Sequence, residues 1–377
     1  MDFDYSEEQR LLADTLKRFL AENYTFDARA KIIASAAGYS EDIWAAFAEM
    51  GLLGLPFAPE HGGFGGSAVD VMIVMEAIGE GLVVEPYLAT VGLGAQVVAR
   101  GGTEAQKQRI LPAVAQGKAK LALAQTEWGA RYHLHAINTR ARQTADGWVL
   151  DGEKSAVLHG SCADVLVVSA RTAGSDTDPH GISLFLVGQG TPGVSMREYR
   201  TIDNLRVADI QFSGAVIPRE ALLGPEDEGL PLLEEVVDYG TALLCAEAVG
   251  AIRYANDATL AYLKTRRQFG VPIGSFQALQ HRMVDMFIDY EQARSMACLA
   301  CVKVDTAEAT ERRRVVSAAK IKIADACRHI SQEAVQLHGG MGMTEDLKIS
   351  HTFRRLTVIA QAFGDVDHRY PADLAVQ

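Results

Sequence analysis

The sequence predicts a mainly α protein with a β domain in its middle. An N-terminal helical domain spans residues 1–118, an antiparallel β-barrel or sandwich 119–225, and a four-helix bundle 226–377. Three observations predict this. Apolar residues recur at helical spacing through the first third of the chain. Short aliphatic runs separated by Gly, Asp and Pro turns then occupy roughly 120–213, and long helical patterns return from about residue 227. Helices, then strands, then helices exclude an alternating α/β layout.

Each element has its own signal. Ser6-Glu7-Glu8-Gln9 has capping-box spacing, and Leu12, Leu16, Phe19 and Leu20 follow on one helical face. A second helix starts after Ser40 and stops at Gly51. The run His61-Gly62-Gly63-Phe64-Gly65-Gly66 is too rich in glycine to continue it, and helical patterns resume from Val69 to end near Gly117. Strands are expected at Lys120–Thr126, Gly147–Leu150, Asp164–Ala170, Ile182–Val187 and Val207–Ser213. Helices over 227–264, 276–304, 308–338 and 346–362 form the bundle.

With 377 residues and 48% hydrophobic content the chain can bury a large core. No apolar run is long enough to span a bilayer, and the acidic N-terminus is not expected to be a signal peptide. Cys162, Cys245, Cys298, Cys301 and Cys327 are scattered through apolar surroundings. Cys298 and Cys301 form a CxxC with no second pair, so free thiols in a reducing cytoplasm and no metal site are expected. The net charge of −12 argues against nucleic acid or an anionic membrane as a partner.

Two segments point to a phosphate ligand. Arg266 offers a guanidinium fork suited to a pyrophosphate oxygen pair. Gly339, Gly340 and Gly342, in Gln336-Leu337-His338-Gly339-Gly340-Met341-Gly342, let backbone N–H groups approach a ligand with no Cβ in the way. These segments, taken with Gln125-Thr126-Glu127, Asp151-Gly152-Glu153-Lys154, Arg266-Arg267-Gln268-Phe269-Gly270 and Phe276-Gln277-Ala278-Leu279-Gln280, resemble the acyl-CoA dehydrogenases over essentially the whole chain. The resemblance implies FAD as cofactor, bound through Gln125, Thr126, Arg266, Phe269, Gln277, Gln336, Gly339 and Gly340. It also implies an acyl-CoA thioester as substrate, a dimer or tetramer, and electron-transfer flavoprotein as the electron acceptor.

The same resemblance exposes losses. In the family a Glu-Gly pair follows the glycine-rich segment, and its Glu removes the substrate's α-proton; here the pair reads Phe363-Gly364. A minority of members place that Glu on the first bundle helix, where this chain has Gly240, followed by Thr241 in place of a usual Arg. The Trp and Thr expected around the flavin ring are Ala156 and Leu158. A small polar turn expected near the acyl-CoA becomes Trp128-Gly129-Ala130-Arg131-Tyr132-His133. A positioned general base contributes about 10²–10⁴-fold, so the chain by itself is expected to be a poor carbon-acid catalyst.

Segments donated to a neighbouring subunit's cofactor thus survive, while those serving the chain's own chemistry fail together. That pattern is similar to the small subunits of heteromeric acyl-CoA dehydrogenases, the pimeloyl-CoA dehydrogenase type in particular, whose large subunit carries the base. Two alternatives stay open: a self-sufficient homo-oligomer using Glu85 or Asp365 as a relocated base, and a non-catalytic acyl-CoA-binding protein. Asp238, His159, His338 and His368 are weaker base candidates, lacking an orienting partner visible in sequence.

Overall fold

The computed structural model describes residues 5–369, so the outermost ends of the first and third expected domains lie outside it. The N-terminal helices are α1 (Glu7–Asn23), α2 (Phe26–Ala34), α3 (Glu41–Glu49), α4 (Ala68–Gly81), α5 (Ala95–Gly101) and α6 (Glu104–Ala115), with a π-helical turn at Leu88–Gly94. The capping box forms as expected, with the Gln9 N–H donating to Ser6 Oγ at 3.2 Å and the Ser6 N–H to Gln9 Oε1 at 3.0 Å. Ser40 caps α3, and Gly51 turns the chain away with φ 75°. Residues 26–34 form a helix that the sequence pattern did not announce, because only Ile33 of its apolar residues is fully buried.

The middle strands are β1 (Leu121–Ala124), β2 (Arg140–Thr144), β3 (Gly147–Leu158), β4 (Val165–Arg171), β5 (Ile182–Gly188), β6 (Val194–Arg200), β7 (Arg206–Ile217) and β8 (Leu222–Leu223). They form one sheet in the order β6-β7-β3-β2-β4-β5-β8, with β1 added beside β4. The expectation of a purely antiparallel sheet is corrected here: β1 runs parallel to β4, pairing Leu121 with Val165 through Ala124 with Val168. β2 and β6 escaped the sequence reading because each is largely exposed, and an edge strand such as β6 carries no alternating apolar signal. The sheet's core joins Trp148 and Phe185 edge to face at 5.1 Å with Leu150, Leu166, Ile210 and Phe212.

The bundle helices follow the expected spans closely: α7 (Gly229–Thr265), α8 (Gln277–Val304), α9 (Ala309–His338) and α10 (Lys348–Gln361). A short hairpin, β9 (Arg267–Gln268) with β10 (Val271–Pro272), separates α7 from α8. Long-range packing groups the chain into two compact units. One contains the chain up to Lys31, Ser67–Val84 and everything from Thr241; the other contains Ile32–Gly66 and Glu85–Gly240.

In the first unit α4 crosses α7 at backbone contact. A Cβ on Gly79 would collide with the Glu247 carbonyl, and one on Gly250 with the Glu76 carbonyl. Backbone on both sides cannot yield, so Gly250→Ala is expected to lose about 1–3 kcal/mol despite its better helix propensity, measured by urea denaturation. Beside this crossing, Arg355 of α10 forks onto the buried Glu247 carboxylate at 2.6 and 2.7 Å. All five cysteines are free, and no helix among the described residues is long and apolar enough to cross a membrane.

Candidate cofactor and catalytic site

In the second unit, β1 delivers Gln125, Thr126 and Glu127 at its C-terminal end. Glu127 is buried, and its carboxylate accepts from Lys154 Nζ at 2.6 Å and from the Asn138 and Thr139 N–H groups at 2.6 and 3.1 Å. Lys154 also donates to Ser169 Oγ at 3.1 Å. Burial pushes the Lys154 ammonium down to about 8, against the opposing pull of Glu127. Burial would raise Glu127, but the Lys154 charge and the donated hydrogen bonds outweigh it and hold the carboxyl below its ordinary range. The Ser155 N–H donates to the Thr126 carbonyl at 2.8 Å, tying β1 to β3. Next to this fixed framework, Gln125 Oε1 is buried with no hydrogen-bond partner among the described residues.

The register of β3 on β7 slips between Lys154 and Val157. At this bulge Ala156 adopts φ 51°, faces solvent, and donates its N–H to Asp209 Oδ1 at 3.0 Å. A bulge re-aims a side chain, but the side chain re-aimed here is a methyl group. Leu158 follows with no polar atom to offer, and His159 is buried with φ 53°.

In the first unit, the ends of α7 and α9 are drawn together. Tyr262 stacks on His338 with ring centroids 4.5 Å apart, and Arg282 pairs with Glu333 at 2.5 Å. These contacts join the C-terminal part of α9 to α7 and to α8. The hairpin loop is Phe269-Gly270 with both φ positive, at 51° and 81°, and Phe269 is 91% exposed. The exposed Arg266 guanidinium has no hydrogen bond or ion pair among the described residues.

The three glycines of the signature differ in purpose. Gly339 ends α9 at φ 61°, ψ −145°, a conformation open essentially to glycine alone. Gly342 is forced by packing, since a Cβ would press on the Val335 carbonyl at 2.7 Å. Gly340 has neither reason: its φ is ordinary and an added Cβ would meet nothing within 4 Å.

His338 and His351 brace this region. His338 Nδ1 donates to the Ala334 carbonyl at 2.8 Å. Arg29 Nη1 can only donate, so the 3.2 Å contact makes His351 Nδ1 an acceptor, leaving Nε2–H to donate to the Glu345 carbonyl at 3.0 Å. Burial lowers both imidazoles; the Glu345 hydrogen bond opposes this in His351, while the Arg29 and Arg354 charges add to it. Lowered folded values mean that the unfolded chain takes up protons first, so stability is lost as pH falls below about 6.5 toward the folded values. Thermal midpoints between pH 7.5 and 5.5 should fall, and His351→Gln, which keeps an acceptor and a donor, should flatten part of that fall.

Neither of the two positions that the resemblance gives for the base carries a carboxylate. At Gly240 an added Cβ would collide with the Leu93 side chain. At the other seat, Phe363 turns with φ 57°, and Arg369 donates to its carbonyl through Nε at 3.1 Å and Nη2 at 2.6 Å. Arg369 also reaches Thr241 Oγ1 at 3.2 Å and Ser317 Oγ at 3.5 Å. Lys320, fully buried on the apolar stripe of α9, donates to the Ala360 and Gly364 carbonyls at 2.9 and 3.0 Å. Sequence reasoning missed both cations; the lysine on an otherwise apolar helical face was the available signal. Among the other candidates, Glu85 is buried and accepts the Ser40 N–H at 3.3 Å. Asp365 caps the next turn by accepting the His368 N–H at 2.8 Å. Asp238 is buried on α7. Among the described residues no group of three or more His, Cys, Asp or Glu converges as for a metal ion.

Three family descriptions match in succession: the acyl-CoA dehydrogenase N-terminal domain over residues 6–118, the middle domain over 122–215 and the C-terminal domain over 227–366. A probable acyl-CoA dehydrogenase of Bacillus subtilis, YngJ, is 29% identical over 94% of this chain and 93% of its own. The short-chain specific acyl-CoA dehydrogenase of Clostridium acetobutylicum is 29% identical over 97% of each. Among solved structures, the FAD complex of PigA superposes with a TM-score of 0.92 at 26% identity, covering 100% of this chain and 98% of that one. The ChsE4–ChsE5 complex of Mycobacterium tuberculosis gives 0.89 at 25% identity, covering 100% of both. With all three domains matched in order and the fold shared end to end, the chain belongs to the acyl-CoA dehydrogenase family, oxidoreductases acting on CH–CH bonds.

Proposed function

We propose that this chain is the FAD-gripping, base-deficient small subunit of a heteromeric acyl-CoA dehydrogenase, similar to the pimeloyl-CoA type. The observation that carries the reading is the state of the two base seats. One holds Gly240, packed against the end of the Leu93 side chain, and at the other the Phe363–Gly364 turn is pinned by Arg369 and Lys320. The likeness to a ChsE4–ChsE5 complex supports an assembly of two different chains on this fold.

The residues fit a flavin dinucleotide. Arg266 holds an unspent guanidinium fork, Gly340 leaves space that no part of this chain needs, and Gln125 presents an unpaired buried acceptor. When bound, FAD supplies the acceptor for the hydride that leaves the β-carbon of an acyl-CoA thioester. Arg266 then neutralises pyrophosphate charge, helped by the N-terminus of α8, which carries no side-chain cap. Phe269, Gln277, Gln336, Gly339 and Gly340 complete the grip on the ADP half, and Gln125 and Thr126 address the ring side. The base that takes the α-proton comes from the partner subunit, and electrons pass on to an electron-transfer flavoprotein.

The visible spectrum of the chain, expressed alone and then with a base-bearing partner, tests this. Stoichiometric flavin with acyl-CoA-dependent bleaching is expected only in the co-expressed complex. Bleaching by the chain alone would establish the self-sufficient alternative, and its loss in Glu85→Gln or Asp365→Asn would identify the base. No flavin in either preparation would leave a non-catalytic acyl-CoA-binding protein.

A further inference from the structure

His351, on the first turn of α10, sits where its ring fits only while neutral. Phe26, the first residue of α2, meets the imidazole edge to face at 4.9 Å, and Arg29 Nη1 donates to Nδ1 at 3.2 Å. A guanidinium accepts nothing, so this contact exists only while Nδ1 carries no proton. Arg29 has little room to retreat. It is 2% exposed, and its Nε donates at 2.6 Å to the carbonyl of Leu82, which closes α4 with φ 53°. To reach water the guanidinium must take the start of α2 with it.

The other side of the ring is built differently. Nε2 donates to the Glu345 carbonyl at 3.0 Å and lies 3.3 Å from the Glu345 carboxylate, which Arg354 Nη2 holds at 2.7 Å. Ser350 Oγ reaches the Thr344 and Leu347 carbonyls at 2.7 and 3.0 Å, so the segment before α10 is tied to α10 by three side chains. Among the described residues, the charges that act on the imidazole are Arg29 from α2, Glu345 from this segment and Arg354 from α10. Lys348, the other cation of the turn, is directed to the Glu80 carbonyl at 2.5 Å and over the Tyr254 ring at 4.1 Å. The Glu80 carboxylate is taken by Arg253 at 2.5 Å, and α4 offers its Leu82 carbonyl to Arg29.

A proton on Nδ1 therefore acts unevenly. Towards α2 it sets N–H against N–H and cation against cation; towards Glu345 it keeps the hydrogen bond and adds attraction. We propose that His351 is an acid-released latch: once protonated it stays with Glu345 and lets go of the Phe26–Arg29 turn, which lifts from α10 while the bundle stays folded. Burial and the Arg29 and Arg354 charges lower the imidazole, against the Glu345 hydrogen bond, so the closed form binds fewer protons than the open one. The latch is thus closed above about pH 6.5 and weakens as pH falls below it. It rests on no assignment in the flavin or base site.

Hydrogen exchange of the whole chain at pH 7.5, 6.5 and 5.5, corrected for intrinsic rates, tests it. Amides of residues 26–31 are expected to lose protection by up to about tenfold per pH unit below about 6.5, the limit for one linked proton. Those in the middle of α9 should change far less in the same samples. His351→Gln, which keeps an acceptor and a donor but takes no proton, should leave residues 26–31 equally protected at all three pH values. In Arg29→Met the His351 ring, followed by NMR, should titrate at a higher pH than in the parent chain. Protection of residues 26–31 that does not vary with pH, a pH dependence that survives in His351→Gln, an equal loss in α9, or an unmoved His351 titration in Arg29→Met would each overturn the latch.

Discussion

Replacing Lys154 by Met is expected to cost about 3–5 kcal/mol of stability, the usual consequence of removing one partner from a buried ion pair. The reason is the charge left behind. Glu127 is buried, and without the ammonium at 2.6 Å it keeps hydrogen bonds from Asn138 and Thr139 as its stabilising partners. Its carboxyl should then titrate well above its present value, and the variant should recover stability on acidification, opposite to the fall expected from His338 and His351. Adding Glu127→Gln removes the orphan charge and keeps an acceptor for the backbone N–H groups. The double variant should therefore recover most of the loss, whereas Glu127→Leu with Lys154→Met should not. Urea denaturation of the four proteins at pH 7 and pH 5.5 checks the argument. Equal stability of the single and double variants would show that the pair contributes nothing specific. Lys154 also joins β1 to β3 beneath Gln125 and Thr126, so the single variant should lose flavin as well as stability.

The second large effect concerns the cofactor. Arg266→Ala is expected to weaken FAD retention by the assembled enzyme about ten- to a hundredfold, the loss that follows from one charge-assisted contact worth roughly 1.5–3 kcal/mol. Because the guanidinium is exposed and unpaired among the described residues, the substitution should leave the thermal midpoint of the flavin-free protein unchanged. Gly340→Val should behave in the same way: an added Cβ meets nothing within 4 Å among the described residues, so a loss of flavin without a loss of stability would locate the obstacle in the ligand's path. Gly342→Ala is the internal control, since the Val335 carbonyl lies 2.7 Å from its Cβ and stability should fall with or without flavin. Flavin content after gel filtration, set against thermal midpoints, separates the two cases. If Arg266→Ala and Gly340→Val both keep their flavin, the proposed ADP grip is wrong.

How much was legible in advance varied with how locally each feature is encoded. The capping box at Ser6 and the stop at Gly51 depend on neighbours within a few residues, and both appear as read. The four bundle helices bury long apolar stripes, so their spans emerged within a few residues of the expected ends. The strands β2 and β6 did not, because their pairing is satisfied by backbone and their side chains stay wet. The parallel placement of β1 beside β4 was equally invisible, since both strands are buried on both faces and alternate in neither.

The candidate site divides along the same line. Sequence alone determined the family, the glycine-rich signature, and the absence of a carboxylate at Phe363 and Gly240, because these are statements about residue identity in a fixed order. Only the tertiary structure decided that Gly240 packs against the end of the Leu93 side chain. It alone revealed that Arg369 and Lys320 clamp the Phe363–Gly364 turn through its carbonyls, and that Gly340, unlike Gly339 and Gly342, is glycine for no reason internal to the chain. Those facts rest on contacts between residues far apart in sequence, and such contacts exist only once the chain has packed.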